Sequence, residues 1–174
     1  VSALGVSDSA PSEYLRSKYA GEKILEDFKG NSVILRPSVV FGPGDSFMNL
    51  FAKMQKYSPI MPIALTKTQF QPIYLNDLIE IILRCISMLK HKKIYTYECV
   101  GPEIFTLYEI IKFSGIYSGR KAMVIPLPKF IGLIQAFILE KMPGPTLMSR
   151  DNIASMSIPS IATKNQELVF RLEQ

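Results

Sequence analysis

The strongest constraint in this sequence is the order in which its periodicities change. A helix-like stretch opens at Pro11-Ser12, runs to about Lys29 and is stopped by Gly30-Asn31. It gives way at once to Ser32-Val33-Ile34-Leu35, which reads as a buried strand. The exchange recurs: an amphipathic stretch after Asp77 is followed by the β-forming run Ile94 to Val100, and a helix from Thr106 to about Gly115 by Met123-Val124-Ile125-Pro126. No hairpin turn joins these strands. Strands that alternate with helices in this way pair parallel, so the pattern predicts an α/β protein with helix 12–29 packed on a parallel sheet that includes 32–36.

Local signals sharpen that reading. Ser12 is a suitable N-cap, with Glu13 at the positive end of the helix. Tyr14, Lys18, Gly21 and Leu25 fall on one stripe, and the small Gly21 is expected to let that stripe approach the sheet closely. Gly42-Pro43-Gly44-Asp45 marks a turn, a short helix is expected over 46–56, and Pro59-Ile60-Met61-Pro62 is expected to break it. Residues 69–75 read as a short extended piece. Asp77 and Glu80 form a D-x-x-E box, with Asp77 read as the cap of a helix that buries Leu78, Ile82, Cys85, Ile86 and Leu89. Thr106 and Glu109 form a second capping box. Tyr95 and Tyr97 alternate as strand residues do. Weak helix signals lie around 151–157. The opening Val1-Ser2-Ala3-Leu4-Gly5 reads as the end of a strand already under way, which suggests sequence upstream.

The 174 residues suit one domain, or one and part of another, and 48% apolar with 20% charged residues excludes wholesale disorder. Cys85 and Cys99, with His91 as the single histidine, cannot supply the usual zinc ligand sets, so no metal site is expected. Both thiols read as reduced and buried in an intracellular protein. The formal charge of +5 is spread along the chain. Its densest run, Lys90-His91-Lys92-Lys93, reads as a solvated turn, and the absence of Trp and of interleaved basic and aromatic residues argues against nucleic acid. The most apolar helix is expected over 130–142, with Phe130, Leu133, Ile134, Phe137 and Ile138 on one face. It is too short to span a bilayer, which takes about 20 residues. The reading favoured is a helix buried in a core or an interface, with a position on a membrane surface as the alternative.

The chemistry concentrates on Ser2 and Tyr14-x-x-x-Lys18. Tyr and Lys at i and i+4 point the same way from a helix. A free phenol titrates near 10, too high for efficient proton exchange at neutral pH, and a neighbouring ammonium favours the phenolate. Lys18 can do this while donating hydrogen bonds to a ribose. Ser2, at the end of a neighbouring strand, can hold a substrate carbonyl or alcohol. Such a set moves a proton while a cofactor moves a hydride.

The order of motifs resembles the later part of an extended or atypical short-chain dehydrogenase/reductase of the NAD-dependent epimerase/dehydratase type. "Ser-Ala-Leu-Gly", the Tyr14 to Glu22 segment, "Leu-Arg-Pro-Ser-Val-Val-Phe-Gly-Pro-Gly-Asp", "Phe-Gln-Pro-Ile-Tyr" and "Tyr-Glu-Cys-Val-Gly-Pro-Glu" carry the resemblance. They run from Val1 to about Asn152 and look like the branch holding the nucleotide-binding accessory subunit of respiratory complex I. The resemblance implies the C-terminal half of a Rossmann-like doubly wound parallel sheet plus a small mixed α/β C-terminal subdomain, divided as 1–58 and 59–174, with some Rossmann elements interleaved in the second part. It also implies Ser2, Tyr14 and Lys18 as the catalytic set, and Tyr14, Lys18, Arg36, Pro37, Ser38 and Val39 as contacts to NAD or NADP. Arg36 reads equally as a plain salt-bridge partner.

One departure is large. The family's Gly-rich fingerprint follows its first strand, which is absent here. Gly42-Pro43-Gly44 is no substitute, because Pro43 removes an N–H and no third Gly or ribose-binding acid follows. The chain alone is therefore expected to bind NAD(P)(H) weakly or not at all. Three functions stay open: a nucleotide-binding accessory protein, a catalytic epimerase, dehydratase or reductase, or a truncated inactive product. The expected partners are the dinucleotide and either respiratory complex I subunits or a membrane surface met through 129–142. The expected location is the cytoplasm, or the matrix or cytoplasmic side of the respiratory membrane.

Overall fold

Six residues of one strand, Ser32–Pro37, run parallel to six of another, Ile94–Cys99, in a register that sets Ser32 beside Ile94 and Pro37 beside Cys99. The computed structural model describes residues 1–28, 30–88, 94–143, 148–163 and 169–170. In chain order the elements are α1 (Glu13–Glu26), β1 (Ser32–Pro37), β2 (Val40–Phe41), α2 (Met48–Tyr57), β3 (Ile60–Ala64), β4 (Gln69–Phe70) and β5 (Ile73–Tyr74). Then follow α3 (Leu75–Met88), β6 (Ile94–Cys99), β7 (Phe105–Thr106), α4 (Leu107–Tyr117), β8 (Met123–Leu127), α5 (Lys129–Lys141), α6 (Arg150–Ser155) and β9 (Val169–Phe170).

The central sheet has the order β1-β6-β9 and is parallel throughout. Residues 1–4 lie along β1: the Ser2 N–H donates to the Leu35 carbonyl at 2.7 Å and the Leu4 N–H to that of Pro37 at 3.0 Å. Two further pairs, β2 with β5 and β3 with β8, are also parallel, and among the described residues only β4 with β7 is antiparallel. The α/β class with parallel pairing read from the alternation is what the chain adopts.

Two apolar clusters fill the interior. One joins Leu35 and Cys99 of the sheet to Ile73 and to Leu78, Ile81 and Cys85 of α3. The other gathers Phe51 from α2, Met61 and Ile63 from β3, Leu107, Ile110 and Ile111 from α4, Ala136 from α5 and Ile153 from α6. Buried Gln55 of α2 ties this second cluster to α4 and to the segment before β8. Its amide donates to the Ile111 carbonyl and to Ser114 Oγ, both at 2.9 Å, and its carbonyl accepts from the Ala122 N–H at 3.2 Å. Both cysteines are free and buried, and burial pushes both thiols up, that of Cys99 to about 12.

Several local expectations need correction. Helix α1 ends at Glu26, and it turns Leu15 and Glu22 inward, not the stripe of Tyr14 and Gly21. Gly21 is exposed, and a Cβ there would meet nothing within 4 Å, so it permits no close approach. Helix α3 starts at Leu75, which places Asp77 in its first turn and not at its cap. Ile86 of that helix is exposed. Leu89 and the basic run 90–93 lie outside the described residues. Pro59–Pro62 does not merely break a helix: Ile60–Ala64 forms β3, paired among the described residues with β8 alone. Pro is tolerated there because a strand with one partner has an edge that needs no donor.

The largest reversal concerns α5. The face expected to be buried looks outward, with Phe130, Ile134, Phe137 and Ile138 exposed. The helix instead turns Gly132 and Ala136 to the core, where a Cβ added at Gly132 would run into Cβ of Ala64. Small residues set the helix close on β3. Gly132→Val should therefore lower the unfolding free energy by about 1–3 kcal/mol, as for other overpacked sites, and with it the urea midpoint. An unchanged midpoint would show that α5 does not rest on β3 in solution.

Candidate functional site

A cleft of about 680 Å³ opens where residues 1–4, the start of α1 and the end of β1 meet α6 and the segment after it. It collects Ser2, Tyr14, Lys18, Pro37, Ser38 and Val39, six of the seven residues singled out in the sequence. The seventh, Arg36, does not line it.

Helix α1 begins where Ser12 Oγ accepts the Leu15 N–H, as its sequence signal indicates. Tyr14 follows directly and stands at the cleft mouth, 49% exposed. One turn on, Lys18 Nζ lies 5.9 Å from the centre of the Tyr14 ring and donates to the Val1 carbonyl at 3.4 Å. That bond ties the helix to the strand-like segment carrying Ser2. The Ser2 side chain is buried and makes no hydrogen bond of ordinary geometry, yet it lies near enough to the Glu22 carboxylate to favour its charged form. Across the cleft, the Ser38 hydroxyl is 2.7 Å from the Ser160 carbonyl oxygen and 3.0 Å from Ser160 Oγ. It fastens the segment after α6 to the end of β1.

Arg36 turns away into a fork with Glu22: Nε donates to Oε1 at 2.9 Å and a terminal nitrogen to Oε2 at 2.6 Å. The reading of Arg36 as a cofactor contact therefore gives way to its salt-bridge reading. Alternation along β1 explains this, because Pro37 and Arg36 point to opposite faces. Burial pushes the Glu22 carboxyl up, but the hydrogen bonds from Arg36, the nearby Ser2 hydroxyl and the Arg36 charge outweigh it and hold it below the ordinary value.

Two features escaped the sequence. Asp151 reaches over from α6 to cap α1, accepting the Glu13 N–H at 2.6 Å and the Tyr14 N–H at 3.1 Å. This carboxylate lies beside the site, 137 residues from Tyr14 along the chain, so no spacing rule could link them. Asp45 does the same for α2, accepting the Phe47 N–H at 2.9 Å and the Met48 N–H at 2.6 Å. The Gly42–Asp45 turn is thus a helix cap whose anion comes from the chain itself. Among the described residues no group of His, Cys, Asp and Glu is placed to hold a metal ion.

No family model matches the chain. Over 176 residues it is 28% identical to the mitochondrial NADH dehydrogenase (ubiquinone) 1 alpha subcomplex subunit 9 of Arabidopsis thaliana, covering 95% of this chain and 43% of that protein. To the subunit of the same name from Mus musculus it is 31% identical over 134 residues, 75% of this chain and 35% of the other. The chain spans less than half the length of these curated relatives. In fold it is similar to a dTDP-4-dehydrorhamnose reductase from Clostridium acetobutylicum, with a TM-score of 0.61 at 16% identity over 88% of this chain and 57% of that one. A UDP-glucuronic acid 4-epimerase from Bacillus cereus, solved with UDP-glucuronic acid and NAD, gives 0.56 at 20% identity over 92% and 55%.

The depressed Glu22 carboxyl carries a pH signature. Its pair with Arg36 contributes stability that is fully present above the ordinary carboxylate value of 4.5 and is lost as pH falls through the lowered folded value. Thermal unfolding should show this loss on the acid side, and Glu22→Gln should flatten it. An acid limb of equal slope in both proteins would place the titrating group elsewhere.

Proposed function

We propose that the chain is a relative of the extended short-chain dehydrogenases/reductases on the branch of the complex I accessory subunit, and that its cleft is the nicotinamide and ribose side of a NAD(P)(H) site. The observation that carries this reading is that Ser2, Tyr14, Lys18 and the Pro37–Val39 turn line one cleft. In this reading Lys18 holds the ribose hydroxyls, and the Tyr14 hydroxyl donates or accepts a proton. Ser2 offers a hydroxyl beside it, and the Pro37–Val39 backbone passes the nicotinamide. Arg36 braces α1 from behind through Glu22. The dinucleotide, when bound, supplies hydride chemistry. In this reading 1–58 is the nucleotide-facing part and 59–174 a substrate or interaction part.

The residues present fit that half of the cofactor and not the other. A pyrophosphate is held by free N–H groups at a helix N-terminus behind a Gly-rich turn. Here the N-termini of α1, α2 and α4 are occupied by Asp151, by Asp45 and by the Thr106–Glu109 box. The names of the relatives, subunits of a mitochondrial NADH dehydrogenase (ubiquinone), support a place in a complex I-like assembly over turnover of a sugar nucleotide. In this reading the role is accessory and nucleotide-retaining, on the matrix or cytoplasmic side of a respiratory membrane.

The test uses the chain itself with nicotinamide riboside, which carries only the favoured half of the cofactor. Saturation-transfer NMR should show contacts to the ring and ribose protons, lost in Lys18→Ala and kept in Tyr14→Phe. NADH should bind no more tightly than the riboside. Micromolar NADH affinity, or riboside contacts indifferent to Lys18→Ala, would overturn the assignment.

A further inference from the structure

Helix α5 wears its large side chains outside. Phe130, Ile134, Phe137 and Ile138 follow the i, i+4, i+7, i+8 spacing of one helical stripe and are 64%, 57%, 46% and 57% exposed. The opposite side holds the small Gly132 and Ala136 against the core. The preceding strand β8 adds Met123 and Ile125, 67% and 40% exposed. A stripe of this size costs free energy in water, and contiguous exposed apolar surface marks an interaction face.

The charges around the stripe say what covers it. Arg120 and Lys121 precede β8, and Lys129 and Lys141 sit at the two ends of α5, all exposed. The one acidic residue between 119 and 143 is Glu140, and its carboxylate is already engaged by Arg150, at 2.6 Å through the backbone N–H and 3.0 Å through Nε. Lys141 Nζ and the Arg150 guanidinium lie 5.9 and 5.0 Å from the centre of the Phe137 ring. Cations thus border the apolar side chains, the arrangement in which a side chain enters hydrocarbon while its neighbours meet phosphate. No described helix is long and apolar enough to cross a membrane. At 13 residues α5 is about 20 Å long and suits lying in the interface.

We propose that the α5–β8 face docks on the surface of an anionic lipid bilayer, with Phe130, Ile134, Phe137 and Ile138 entering the acyl boundary and Lys121, Lys129 and Lys141 meeting the headgroup charge. A second copy of the chain would bring the same four cations against one another, which disfavours a symmetric dimer through this face. The proposal stands apart from the nucleotide reading, because none of these residues lines the cleft.

The chain contains no Trp, so Ile134→Trp installs a single reporter. With vesicles of equimolar phosphatidylcholine and phosphatidylserine its emission should shift to the blue and the protein should co-sediment. With phosphatidylcholine alone both effects should be much weaker, and added salt should reverse them. Ile134→Ser with Ile138→Ser, and separately Lys129→Glu with Lys141→Glu, should each reduce partitioning by roughly tenfold or more, with thermal unfolding unchanged. Equal affinity for neutral and anionic vesicles, no co-sedimentation, or full binding by both double variants would overturn the proposal. So would a concentration-dependent dimer in solution that produces the blue shift without lipid.

Discussion

The parallel register of β1 on β6 is the constraint on which the rest of this molecule hangs. Parallel strands need a crossover between them, and here the chain between Pro37 and Ile94 supplies it, carrying β2, α2, β3, β4, β5 and α3 on the way. In such sheets ligands bind beyond the carboxyl ends of the strands. The Ser38 N–H, just past β1, donates to the Cys99 carbonyl at the end of β6 at 3.0 Å. That bond fixes where the Pro37–Val39 turn leaves the sheet. On the other side of β1, residues 1–4 are held by the Leu35 and Pro37 carbonyls, which brings Ser2 to the same end. Helix α1 is then fastened from behind by Glu22 on Arg36 and from the front by Lys18 on Val1. The cleft is the space these attachments leave.

The chain fills the positive ends of four of its own helices. Asp151 and Asp45 serve α1 and α2 with carboxylates, and α4 and α6 carry reciprocal boxes built from Thr106 with Glu109 and Ser149 with Asn152. Each cap satisfies N–H groups that helix geometry leaves without a partner, and each carboxylate also interacts favourably with the helix dipole. The same economy closes these N-termini to a ligand's phosphates. The polar side chains that remain open to the cleft are instead those of Tyr14 and Lys18, near the start of α1.

What was legible in the sequence was what depends on neighbours a few residues away. Ser12 and the Thr106–Glu109 box start α1 and α4 because a cap is satisfied within one turn. The strands at 32–37 and 94–99 follow from β-branched and aromatic runs bounded by Gly, Asn and Pro. Tyr14 and Lys18 share the cleft because one helical turn separates them. Three things were hidden because distant packing decides them. Periodicity identified the apolar stripe of α5 but not its direction, since the small Gly132 and Ala136 on the other side fit β3 better. Strand β3 was masked by Pro62, whose missing donor costs little at a strand with one partner. Arg36 sits beside Pro37 in sequence, and only its position in a strand sends it to the opposite face, where Glu22 waits.

Adjacent residues of α6 hold opposite parts of the molecule. Arg150 is bonded to Glu140 of α5, and Asp151 to the first N–H groups of α1. A helix of six residues cannot persist in water on its own, because nucleation costs more than so few bonds return. It persists here because Ile153 is buried to 1% exposure in the second cluster, because Ser149 and Asn152 cap it, and because both of its neighbours are fixed to helices. The segment that follows it is pinned again by Ser38 on Ser160. The far wall of the cleft is thus continuous with the helix that shows its apolar stripe to the outside, and the link between them consists of two side chains one residue apart. Asp151 cannot move without freeing the backbone of Tyr14, and Arg150 cannot move without exposing the one acid beside the basic rim of α5. Tyr14 at the cleft mouth and the outward stripe are therefore held by the same short piece of chain.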